Sequence, residues 1–244
     1  MKVRRAVCAL AAAAAALLAP ACRPGRDAKL DEVLRRARSA PERVAALESE
    51  YLADPDRDVR ALAVWAIGEA GAPEAVEVLT PLASDPDPAV RRAVAIALCR
   101  GEGPGAGATV ATLAGDADAG VRRAAVRCLA DHETPPAGVL ARAVGDPDRE
   151  TRAAALAALG RHPDPSALAA LINVLQTRNA EDKIAAVAAL RTLADPAALP
   201  ALEAAAASRL SPAVRDAVEV AILELRRVKS GATDDVGAAP ARKK

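Results

Sequence analysis

Two histidines, a cysteine pair and a glycine run are the residues whose types and spacing raise the question of chemistry. His132 and His162 stand 30 residues apart. Glu133 and Asp164 lie close to them in sequence, so the four have the types found in a zinc site. Two imidazoles in turns do not themselves make a closed site, and both histidines read as exposed turn residues. Cys99 and Cys128 sit at different offsets of successive helices. A disulfide needs Cα atoms within about 7 Å, and the unequal offsets argue against a bridge. The run Gly101–Thr109 lacks the Gly-Lys-Ser/Thr ending of a phosphate loop and follows a helix. It reads as a turn leading into a shortened second helix. No serine stands in a nucleophile elbow. The sequence therefore assigns no catalytic residue, no metal site and no cofactor.

The elements that position these residues repeat. Asp54-Pro-Asp-Arg-Asp-Val-Arg60 returns as Asp85-Pro-Asp-Pro-Ala-Val-Arg91, Asp116-Ala-Asp-Ala-Gly-Val-Arg122 and Asp146-Pro-Asp-Arg-Glu-Thr-Arg152. The cation position continues at Lys183 and Arg215. Four residues before each cation stands Asp56, Asp87, Asp118, Asp148, Asn179 or Ser211. All six are of helix N-cap types, because their side-chain oxygens accept from free backbone amides. Pro88 and Pro212 follow at the first helical position, where a missing N–H costs nothing. Behind each cation comes a small or apolar quartet, such as Leu62, Ala63, Ala66 and Ile67, or Ala154, Ala155, Ala158 and Leu159. That is helical spacing with one buried stripe. Pro73, Asp164-Pro165 and Asp195-Pro196 open a second helix in their units. One helix–turn–helix unit cannot bury its face alone, so units stack.

These residues resemble HEAT repeats of the short bacterial kind named after phycobilisome lyases, over about residues 40 to 228. The resemblance implies an all-α fold, a right-handed α-solenoid of stacked helix–turn–helix repeats. It also implies a structural ladder between neighbouring repeats, formed by Asp54, Asp85, Asp116 and Asp146 with Arg60, Arg91, Arg122 and Arg152. HEAT-like hydroxylases of the deoxyhypusine type hold iron with several His-Glu pairs. This chain has one such pair, His132-Glu133, and Pro163 follows His162.

The domain organisation read from the sequence is a signal peptide over 1–21, a tether over 22–29, the solenoid over 30–228 and a disordered tail over 229–244. Within the solenoid, Leu30, Val33, Leu34 and Ala37 form a capping helix outside the pattern, followed by about six repeats. Lys2, Arg4 and Arg5 precede an apolar run from Val7 to Ala19, and Ala19-Pro20-Ala21 supplies small residues for cleavage. Leu18-Ala19-Pro20-Ala21-Cys22 resembles a bacterial lipobox, which implies acylation at Cys22 and a membrane anchor in the cell envelope.

Composition narrows the function. The formal charge is +1, and without residues 1–21 the balance is 30 basic against 32 acidic residues. The chain has one Trp, one Tyr and no Phe. A single-strand-binding groove needs excess cations and stacking aromatics, so no nucleic-acid partner is expected. The expectation is a non-catalytic scaffold holding a protein partner on its helical face. The alternative is a lyase-type enzyme or chaperone that handles a tetrapyrrole or a cofactor-bearing partner.

Overall fold

The computed structural model describes residues 24–39, 51–71, 74–99, 105–132, 136–177 and 179–230. All regular structure among them is helical. The chain forms two compact units, divided between Leu129 and Ala130. Residues 1–21, Cys22 and almost all of the 229–244 tail lie outside the described residues, as do Pro73 and Glu133.

The first unit contains α1 (Pro24–Ser39), α2 (Arg57–Ala70), α3 (Ala75–Leu79) with a 3-10 turn at Thr80–Ser84, α4 (Pro88–Cys99), α5 (Ala106–Leu113) and α6 (Ala119–Ala130). The second contains α7 (Ala137–Ala143), α8 (Arg149–Arg161), α9 (Pro165–Val174), α10 (Ala180–Leu193), a 3-10 turn at Pro196–Ala198, α11 (Leu199–Ala206) and α12 (Pro212–Ser230). In the first unit α1, α2 and α4 pack side by side, and α5 lies against α4. In the second, α8, α10 and α12 pack side by side, backed by α7, α9 and α11.

Local chemistry accounts for the helix starts. Asp56, Asp148 and Asn179 have extended backbones, and each accepts amides of the first turn. Asp87 accepts from Ala89 N at 2.8 Å and Asp118 from Val121 N at 3.0 Å. Gly71 ends α2 at φ 63°, in the left-handed region that glycine enters without a Cβ clash.

The structure corrects two boundaries. The segment read as a tether is helical from Pro24, with proline at the first position and Asp27 in the first turn, both favourable at a helix start. At the other end, α12 runs to Ser230. The second helix after the glycine-rich segment, α5, has 8 residues, between the 7 of α7 and the 10 of α9.

The buried stripe is also wider than one helical face. Leu62, Ala93, Ala124, Ala154, Ala185 and Ala217, the first member of each quartet, are only half-buried. Val59, Val90, Val121 and Val214 are buried instead, together with Val64, Ala95, Val126, Leu156 and Val187. A helix flanked by a neighbour on each side and backed by a second helix buries its flanks as well. Alanine at so many contacts lets the helices approach closely, and Tyr51 is the one fully buried aromatic among the described residues.

Candidate functional site

The recurrent polar residues form a ladder along the loops that precede the long helices. Arg60 makes two parallel hydrogen bonds to Asp85, Nε to Oδ2 and Nη2 to Oδ1, each 2.9 Å. Arg91 repeats this on Asp116 at 2.7 and 2.8 Å. Each arginine also donates to its own loop: Arg60 to Asp54 O at 2.8 Å, Arg91 to Asp85 O at 2.8 Å and Arg122 to Asp116 O at 2.9 Å. The carboxylates in turn accept amides two residues on, Asp56 N on Asp54, Asp87 N on Asp85, Asp118 N on Asp116 and Asp148 N on Asp146. One rung thus ties the loop, the helix start and the neighbouring repeat together. Fork-shaped guanidinium–carboxylate pairing gives fixed geometry as well as attraction.

Electrostatics follow this wiring. The Arg91 hydrogen bond holds the Asp116 carboxyl below its usual 3.8, outweighing burial, and the Asp118 amide assists. Burial alone would raise Asp54, yet Lys29, the Asp56 amide and Arg60 bring it below 3.8.

Lys29 is a rung that the sequence reading placed outside the pattern. Its Nζ lies 2.5 Å from Asp54 Oδ2, and Arg26 pairs with Asp58. Lys29 precedes Asp54 by 25 residues, the same separation as Arg60 from Asp85 and Arg91 from Asp116. So α1 stands in register with the repeats. The signal was present: Arg26-Asp-Ala-Lys29 matches Arg57-Asp-Val-Arg60, 31 residues later.

A second missed rung is Asp182. Arg152 donates to Asp146 O at 2.8 Å and reaches Asp182 Oδ2 at 2.9 Å. Thr177 occupies the place of the ladder acid in this repeat, and its hydroxyl turns to Val174 O. Asp182 stands where Val59, Val90 and Val121 stand, one residue before the cation. The carboxylate has moved from the loop to the first helical turn, and the arginine still finds it.

The cysteines are bridged. Cys99 and Cys128 form a disulfide with Cα atoms 5.3 Å apart, contrary to the argument from unequal offsets. Adjacent long helices approach where a residue faces the one 29 positions later. A Cβ built on Gly68 would lie 2.5 Å from Ala97 Cβ, and one on Gly160 would lie 2.7 Å from Ala189 Cα. Cys99 and Cys128 hold the same 29-residue relation. The unequal offset of the two cysteines is the register of contact. Bridged thiols are not available as thiolate ligands.

His162 Nε2 lies 3.4 Å from Ala130 O. Asp164 caps α9, with its carboxyl held low first by the Ser166 hydroxyl and then by the Ser166 amide. His132 is half-exposed at the end of the described turn.

Comparison with known proteins agrees with this repeat geometry. A family model for HEAT repeats matches residues 44–130 and 136–222, and the chain belongs to the HEAT-repeat family. Among solved structures, the YibA protein of Escherichia coli shares 21% identity at a TM-score of 0.56, over 77% of this chain and 70% of that one. An archaeal HEAT-like repeats protein from Thermococcus onnurineus shares 17% at 0.51, over 86% and 99%. The phycocyanin lyase complex of Nostoc sp. shares 18% at 0.44, over 87% and 94%. At these identities the likeness to the first two is one of fold alone. No curated protein matches the sequence.

Proposed function

We propose that this chain is a non-catalytic scaffold that holds a protein partner on its second helices, in the cell envelope of a bacterium, anchored through a lipid on Cys22. The observation that carries the scaffold reading is the division of labour among polar residues. The recurrent aspartates and arginines are engaged as caps and rungs. The side chains that differ between repeats lie exposed on or beside the second helices: Glu74 and Glu77, Ala108 and Thr112, Asn173 and Gln176, Glu203 and Ala204. A solenoid can change such residues without disturbing its stack.

Export has two supports. One is the charged, apolar and small-residue order of residues 1–21 before Cys22. The other is the Cys99–Cys128 bridge, since disulfides persist in oxidising compartments. Among the described residues no helix is long and apolar enough to cross a membrane.

Two experiments test the proposal. Cys22→Ser should move the protein from the membrane to the soluble envelope fraction with unchanged helicity, and continued membrane retention would remove the anchor. Replacing His132 and His162 together with Ala should abolish no measurable turnover. An absorbance band from a bound tetrapyrrole in the purified protein would favour the lyase-type alternative.

A further inference from the structure

Helix α12 carries three of the five large apolar side chains exposed among the described residues: Val220 is 43% exposed, Leu223 61% and Val228 50%. The opposite face of the helix is in the core, through Val214, Val218, Ala221, Ile222 and Leu225. Leu223 occupies the register position of Gly68 and Gly160, which elsewhere admit the next long helix at contact distance. A leucine there forbids that approach. It suits a helix pair at an ordinary spacing of about 8–10 Å.

The sequence around the stripe is palindromic in spacing. Asp216 lies one turn before Val220, and Arg227 lies one turn after Leu223. All four are exposed, and at 3.6 residues per turn they share one side of the helix. An antiparallel copy centred between Ala221 and Ile222 sets Val220 against the copy's Leu223, and Asp216 against the copy's Arg227. Both the apolar and the charged pairs repeat by the two-fold, which is what a self-complementary interface requires.

We propose that this face of α12 is a self-association surface, and that its occupant is the α12 of a second copy of this chain. The apolar pair supplies the attraction, and the two Asp216–Arg227 pairs fix the antiparallel direction and the register.

Sedimentation velocity of the full chain over a concentration series tests it. The wild type should show a reversible monomer–dimer equilibrium. Leu223→Asp should weaken it by about 10-fold or more, since it sets a charge in the centre of the contact. Leu223 is exposed, so circular dichroism should be unchanged. Asp216→Arg should weaken the dimer through like charges, and the swap Asp216→Arg with Arg227→Asp should restore it. A wild type that stays monomeric throughout overturns the proposal. So does a folded double swap that fails to recover the dimer. A dimer that forms only after deletion of residues 231–244 also overturns it, by making the chain's own C-terminus the occupant.

Discussion

The Cys99–Cys128 crossing in the first unit and the Gly160–Ala189 crossing in the second join neighbouring long helices at the same 29-residue register. The second unit removes a Cβ so that the backbones meet by contact alone. The first keeps two side chains there and bonds them. Gly68–Ala97, also in the first unit, uses the contact solution. The repeat therefore specifies a point of approach, and either a missing side chain or a covalent bond satisfies it. The two differ in what they depend on: packing in one case, an oxidising environment in the other.

The largest expected effect separates these two means. Reducing the disulfide opens a loop of about 30 residues, which the chain-entropy account values at about 3–4 kcal/mol. Urea denaturation with and without dithiothreitol should show that loss in the native chain. The Cys99→Gly, Cys128→Ala variant, which rebuilds the contact crossing, should not respond to reductant. Equal stability of the native chain in both buffers would mean that the bridge holds nothing.

Next comes the contact crossing. Gly160→Val puts two methyl groups where even a Cβ meets the Ala189 backbone, and overpacking of that kind costs about 2–3 kcal/mol. Gly107→Ala, on the open face of α5 where a Cβ meets nothing, should stabilise by about 0.5–1 kcal/mol by restricting the unfolded chain. Thermal melts of both should move in opposite directions.

The rungs follow. Arg91 is 15% exposed and Asp116 is 9% exposed, so Arg91→Ala leaves a largely buried carboxylate without its fork and should cost about 2 kcal/mol. Arg149 and Glu181 are 70% and 64% exposed, and Arg149→Ala should leave the melting temperature unchanged. A large loss from Arg149 would show that the exposed outer pairs, and not the buried rungs, hold the repeats.

The smallest effect is the response to acid. Asp116 has a folded pKa below 3.8, chiefly through Arg91. A depressed carboxylate contributes stability that is present above its unfolded pKa and is lost as pH falls through the folded one. Stability should therefore fall below about pH 4, and the fall should be shallower in Arg91→Ala. A melting-temperature series between neutral and acid pH checks the slope.

What was legible in the sequence was what recurs: the caps, the loop aspartates, the cation positions and the alternation of first and second helices. What escaped had moved by one step. Arg26-Asp27-Ala28-Lys29 has no Asp-Pro-Asp loop ahead of it, so α1 looked like a separate cap, although Lys29 is in register. Asp182 escaped because Thr177 interrupts the loop pattern while the acid reappears on the helix. The disulfide is hidden in the sequence because equal offsets are not the condition for contact. Tilted neighbouring helices meet at unequal ones, and the 29-residue relation becomes visible only when Gly68–Ala97 and Gly160–Ala189 are seen to touch. The exposed positions of the second helices differ from unit to unit in the sequence, since positions outside the stack tolerate change.

In the proposed scaffold the recurrent residues build the frame and the variable second helices bind. Its most direct test is chemical cross-linking in the native envelope with a variant carrying Glu74→Lys, Glu77→Lys, Asn173→Ala and Gln176→Ala, all at exposed positions. The prediction is a melting temperature equal to the wild type with loss of the cross-linked partner bands. Unchanged bands from that folded variant, together with their loss in Arg91→Ala at a preserved melting temperature, would contradict it.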